Sequence, residues 1–227
     1  MQAYTVKKAR TIDLDSYFKE YIIKNYDASS ITDKIKKFIG EMNQNRSVIS
    51  KMKNDDIEID KIKQCVNILN HYTNELIALK SKMAFGEESF ACKIKFEWKD
   101  TIKESFYESY NINFEYYNSL FNLAAEYYRL GYYTSIQEGA DKNVLKEAFR
   151  CFQYAMYIYS LIKEECLHKI KAKEMPIDLL GNHLDYCISM CIAYGNIQIL
   201  GISKETNPKK FSLHAQLAKN ISEIFEE

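Results

Sequence analysis

Proline occurs twice and glycine seven times in 227 residues. Sheet-rich folds spend both at their tight turns, so this scarcity argues against a sandwich or barrel and for a mainly α chain. Neither sign of charge is in excess, since 31 Lys and Arg balance 31 Asp and Glu. A dedicated nucleic-acid binder carries a basic surplus, so no nucleic-acid partner is expected. No run approaches the ~18 apolar residues of a membrane span, and the opening MQAYTVKKAR lacks the apolar core of a signal peptide. The expectation is a soluble cytoplasmic protein with at most peripheral membrane contact. Cys-x-x-Cys is also missing. The cysteines at 65, 92, 151, 166, 187 and 191 are mostly scattered, which fits a reducing compartment and not a disulfide framework.

Signatures of catalysis are missing too. There is no GxGxxG, no GxxxxGK[ST] and no His-Glu-x-x-His. The histidines at 71, 168, 183 and 214 stand singly. His183, Cys187 and Cys191 follow at intervals of four and share a helix face. That spacing serves a metal or, as free cysteine usually does, fills space as small buried hydrophobes. The second reading is preferred, so no metal, cofactor or enzymatic activity is expected. Asp55-Asp56 and Glu164-Glu165 are adjacent pairs, and adjacent side chains on a helix diverge. Acids do gather locally: residues 104–141 hold six and only one base, Arg129.

What remains is a strongly patterned chain, 47% apolar and long enough to bury a real core. Residues 1–10 read as an extended lead. Asp13 or Asp15 caps a helix through Tyr17, Phe18, Tyr21, Ile22 and Tyr26. Ser29-Ser30 opens a second helix to about Met52, and a third runs from about Ile57 to Met83. In FACKIKFEW, Phe90, Cys92, Ile94, Phe96 and Trp98 alternate with less apolar residues, a strand with one buried face; the N-terminal segment is its expected partner. FEYYNSLFNLAAEYYRLG, from about Asn113, is apolar nearly all round and predicts a helix buried on most sides. Within it Asn122 reads as a satisfied core polar group. Further helices are expected over about 142–172, from Asp178 to about Ser203, and after Asn207-Pro208 to the C-terminus.

The last helix is the informative one. At ~100° per residue, Phe211, His214, Ala218, Ile221 and Phe225 form one stripe, read as facing the core. Leu213, Leu217 and Ile224 cluster about 120° away. One stripe suffices to dock a helix. A second implies another packing partner inside the domain or an exposed apolar patch that binds something.

Five ordered segments resemble the Bro-one domain family of ALIX-type adaptors. They are VKKARTIDLDSYFKEYI, FGEESFACKIKFEWKD with Trp98-Lys99-Asp100, FEYYNSLFNLAAEYYRLG, LKEAFRCFQYAMYIYSLIKE, and the Pro-x-Asp segment from Pro176. The resemblance runs nearly end to end. It implies a mainly α, tetratricopeptide-like helical stack with a small N-terminal antiparallel sheet, in one domain over 1–227: N-terminal helices and sheet over 1–110, helical core over 111–227. It implies an adaptor that binds the C-terminal amphipathic helix of an ESCRT-III filament subunit in endosomal sorting or membrane scission, recruited from cytoplasm to endosomal membrane. By position, the family's patch falls on Ile199, Leu213 and Leu217. The family's domain is longer, so the later helices are expected to be lacking, and a stack cut short exposes an apolar end that favours a homodimer. The alternatives are a generic peptide-binding helical scaffold and, behind it, a metal enzyme built on His183, Cys187 and Cys191.

Overall fold

The computed structural model describes residues 5–226, so part of the expected N-terminal lead, residues 1–4, lies outside the described residues. Among the described residues, seven α-helices and one two-stranded sheet follow in order: α1 (Leu14–Asn25), α2 (Asp33–Ile49), α3 (Ile59–Lys80), β1 (Phe96–Lys99), β2 (Phe106–Ser109), α4 (Ile112–Ser135), α5 (Lys142–Lys169), α6 (Gly181–Thr206) and α7 (Phe211–Glu226). Helices consecutive in sequence pack on one another from α3 to α7, the helical stack that the resemblance implied.

Side-chain caps begin three of the helices, α2, α4 and α5, while Asp13, at the N-cap of α1, makes no side-chain capping bond. The Thr32 hydroxyl accepts from Ile35 N at 3.4 Å and begins α2. Ser29 and Ser30 do not; they sit in a 3-10 turn, Ala28–Ser30, capped by Asp27. Asn111 caps α4 through Asn113 N, and Asp141 caps α5 through Asn143 N and Val144 N. Asp178 does not begin α6 either. It lies in the 3-10 turn Ile177–Leu179, and α6 starts at Gly181.

The sheet is smaller than its alternation suggested. Cys92, Ile94, Phe96 and Trp98 are buried, whereas Phe90 is exposed and Ala91 is buried in its place. The ladder runs antiparallel from Phe96↔Ser109 to Lys99↔Phe106. The N-terminal segment joins on the other side through the bridge Ala9↔Trp98, with Arg10 N donating to Glu97 O and Lys99 N to Lys8 O.

Helix α4 is the hub, buried along nearly its whole length between α3 and α5. Gly131 marks its closest approach to α5. A Cβ there would lie 3.0 Å from Ala148 O and 3.2 Å from Cys151 Cβ. Two of its acids are internal. Glu115 is fully buried and accepts from Arg46 Nε at 2.5 Å, Tyr72 OH at 2.8 Å and Trp98 Nε1 at 2.5 Å. Glu126 pairs with Arg129 at 2.9 Å, and burial raises its pKa to about 7. The acidic bias of residues 104–141 is therefore partly spent inside the core.

One turn from Glu126, Asn122 receives the N-terminal segment. Its Oδ1 accepts from Lys7 N at 2.7 Å and its Nδ2 donates to Lys7 O at 3.0 Å. The Lys7 side chain, also buried, reaches Asp178 Oδ1 at 2.5 Å. Asp178 Oδ2 accepts from Thr101 N at 2.8 Å, and Asp100 Oδ2 accepts from Asp178 N at 3.1 Å. Burial lowers the Lys7 pKa against the pull of Asp178. This network fixes the turn that launches α6, and through it the position of the C-terminal hairpin.

Candidate functional site

Helices α6 and α7 form that hairpin. Asn207 ends α6, its N–H bonded to Ser203 O at 2.8 Å, and α7 begins at Phe211. Two contacts set how the helices face each other. Ser203 Oγ lies 3.1 Å from His214 Nε2, and the Tyr194 and Phe225 rings meet edge to face at 5.9 Å. Ile199 lies between those anchors on α6 and Leu217 between them on α7, while Leu213 directly precedes His214.

The expected division of α7 into a core stripe and a surplus stripe needs correction. His214, Leu217, Ile221 and Ile224 are its half-covered residues, so Leu217 and Ile224 belong to the inward line. Phe211, Ala218 and Phe225, assigned to the core by periodicity, are exposed. The spacings 214, 217, 221, 224 and 214, 218, 221, 225 both satisfy a helical period. Burial selects the first, since Leu217 and Ile224 are half-covered while Ala218 and Phe225 are exposed.

No residue of α7 is buried, although Phe211, Leu213, Leu217, Ile221, Ile224 and Phe225 are all apolar. Leu213 is 40% exposed, and Leu217 and Ile199 are half-buried. Ile192 and Ile197 add exposed aliphatic surface on α6. The hairpin thus keeps apolar surface in water beyond what joins its two helices. Lys204, Glu205, Lys209, Lys210, Lys219 and Glu223 are exposed around it.

Helix α6 departs from one expectation. By length and composition it is apolar enough to cross a membrane, as core helices of soluble proteins also are. No continuous run shows this because Ser189, Asn196 and Gln198 interrupt it. Leu184, Cys187, Cys191, Ala193, Gly195 and Gln198 of this helix are buried within the stack.

His183, Cys187 and Cys191 lie at the other end of α6, facing α4 and α5. Cys187 Sγ is 3.6 Å from His183 Nε2, and the His183 ring stacks on Phe121 at 6.1 Å. Burial raises the Cys187 thiol to about 12 and lowers the His183 pKa. Cys191, 2% exposed, is likewise pushed well up. Among the described residues no three His, Cys, Asp or Glu side chains are grouped to hold a metal. The buried thiols and the stacked ring fill the interior of the stack.

Sequence reasoning missed the buried partners that position this hairpin. Asp178 carried a signal, since an acid inside the apolar run MPIDLL must find a partner when buried. Lys7 carried none, because a lysine in a short lead reads as solvated.

A family model described as BRO1-like domain matches residues 1–227. No curated protein matches the chain. Among solved structures, ALIX in complex with the SIVmac239 PYKEVTEDL late domain is similar at a TM-score of 0.82 and 18% identity, over 98% of this chain and 31% of that one. The ALIX BRO1–CHMP4C complex is similar at 0.79 and 18%, over 98% and 61%. A structure described as the basis for endosomal targeting by the Bro1 domain is similar at 0.76 and 17%, over 98% and 57%. The chain therefore spans less than two thirds of each of these structures. At such identities the likeness establishes the fold.

Proposed function

Because this chain belongs to the BRO1-like domain family, we propose that it is a protein-binding adaptor whose α6–α7 hairpin receives the C-terminal amphipathic helix of an ESCRT-III filament subunit. The observation that carries this reading is α7 itself, which is apolar along two lines of its surface and buries none of its residues. The ALIX BRO1 structure solved with CHMP4C supports it by analogy of fold.

Recognition is of the helix-in-groove type. Ile199, Leu213 and Leu217 would anchor the partner's apolar face, each contributing up to about 1.5–3 kcal/mol if fully covered. Since Ile199 and Leu217 already lose part of their exposure to the hairpin, the gain lies below that sum. The reaction class is binding, with no catalytic step and no cofactor. The setting is cytoplasmic, with recruitment to endosomal membrane through the partner. We read residues 1–227 as one domain and place any homodimer contact on the same face, so that dimerisation and partner binding compete.

The test is capture of an ESCRT-III C-terminal helix peptide by the wild-type chain and by Leu217→Asp. The charged side chain should reduce capture at least tenfold while the far-UV circular dichroism stays that of the wild type. Undiminished capture by the folded variant removes the site.

A further inference from the structure

The α6–α7 hairpin carries its charge unevenly. Residues 186–203 of α6 and 211–218 of α7 hold no Asp, Glu, Lys or Arg. At the loop, Lys204, Glu205, Lys209 and Lys210 are all exposed, three bases to one acid. Among the described residues the ion pair of α7 is Lys219 with Glu223 at 3.5 Å, and none holds Lys204, Lys209 or Lys210. Toward the far end, where Tyr194 meets Phe225, that pair compensates itself and Glu226 follows, its Oε1 accepting from Ser222 Oγ at 3.0 Å. The apolar strip is therefore flanked by uncompensated positive charge at the loop and by none at its other end.

The basic end continues the line of apolar anchors. Lys210 N donates to Asn207 O, and Lys210 O accepts from His214 N, each at 3.1 Å, so the first turn of α7 reaches back to Lys210. Lys210, Leu213 and Leu217 follow at intervals of three and four, the spacing of one helix side. A helix seated along Leu213 and Leu217 has Lys210 beside its next turn. On α6, Ile197 and Lys204 share a side in the same way.

On the reading that the hairpin receives a partner helix, we propose that this helix carries acidic residues at one end of its apolar stripe and seats that end over the α6–α7 loop. Charge then sets its direction. Ile199, Leu213 and Leu217 are aliphatic and hold an apolar stripe in either direction. The lysines break that symmetry, since a reversed helix would bring its acids beside Glu223 and Glu226. Exposed rim charges of this kind act on association rate and specificity, and salt screens them.

Three acetylated, amidated helical peptides with one common leucine stripe test this. The first has glutamates in its N-terminal turns, the second in its C-terminal turns, and the third has lysines in place of the first one's glutamates. Each carries a nitroxide at its charged end and is titrated into the full chain. The two glutamate peptides should bind in opposite chain directions, each broadening the amides of residues 204–211. The lysine peptide should bind at least tenfold more weakly. The double variant Lys209→Glu, Lys210→Glu should weaken both glutamate peptides at least tenfold, a gap that closes at about 0.5 M salt. Glutamates at the start of α7 complement its dipole, and circular dichroism verifies the fold. Leu217→Asp should abolish binding of all three peptides. Two glutamate peptides seated in one direction, or unchanged affinity in the double variant, would overturn the proposal while leaving the docking site standing. No binding by any peptide, or undiminished binding by Leu217→Asp, would overturn both.

Discussion

Replacing Asn122 by leucine removes a single side chain that serves two backbone groups 115 positions away. Lys7 is buried, and among the described residues Asn122 is the partner of both its N–H and its C=O. Leaving a buried polar group unsatisfied costs about 1–3 kcal/mol, so the pair amounts to about 2–6 kcal/mol. A domain's total stability is about 5–15 kcal/mol, so Asn122→Leu should be severely destabilised, with an earlier urea midpoint read by far-UV circular dichroism. Hydrogen exchange at the Lys7 amide should accelerate by more than the global loss requires, since the segment loses its clamp first. Asn118, one turn earlier, is the control. Its Nδ2 reaches only Phe114 O of its own helix, at 2.7 Å, and its buried Oδ1 has no partner among the described residues. Asn118→Leu should therefore cost little or even stabilise. If the two variants unfold at the same urea concentration, the reasoning that Asn122 docks the N-terminal segment is refuted.

Glu126, with its folded pKa raised to about 7 from an unfolded 4.5, binds a proton in the native state that the unfolded chain has released between those values. Its contribution is greatest below pH 4.5 and is lost as pH rises through 7, by about 3 kcal/mol at most; Glu126→Gln should flatten this component in a pH series of urea melts. Gly131→Val places methyl groups where even a Cβ meets Ala148 O at 3.0 Å, so it should cost about 1–3 kcal/mol by overpacking and lower the thermal midpoint, whereas an unshifted midpoint would deny the close α4–α5 contact. The thiols of Cys187 and Cys191, both pushed up by burial, should react with a disulfide reagent at pH 8 only after denaturant is added.

Much of the fold was legible because apolar periodicity dominates long helices. The all-round apolar run at 113–130 gave the hub helix, and Asn122 within it had to be a satisfied polar group. The five segments behind the family resemblance meet around that hub. Lys7 comes from the first, Asp100 from the second, Asn122 from the third and Asp178 from the last, bound into one buried network. Periodicity could not find β2, because Phe106–Ser109 is four residues long and mostly exposed. It extended β1 back to Phe90 because alternation cannot tell a paired strand from an extended loop with every second residue buried. It also misjudged the rotation of α7. Two stripes fit one period, and only the cover that the folded hairpin gives Leu217 and Ile224, and withholds from Ala218 and Phe225, decides between them. Leu213, Leu217 and Ile199 were nominated by different routes, the first two by surplus apolar surface and the third by resemblance alone. The structure places all three on one hairpin with none of them sealed in the core.

The most direct measurement is the footprint of an ESCRT-III C-terminal helix peptide on this chain by amide hydrogen exchange. Helix-in-groove docking on the hairpin predicts protection concentrated at the C-terminal half of α6 and along α7, around Ile199, Leu213 and Leu217. Protection confined to other helices, or none at saturating peptide, would contradict it.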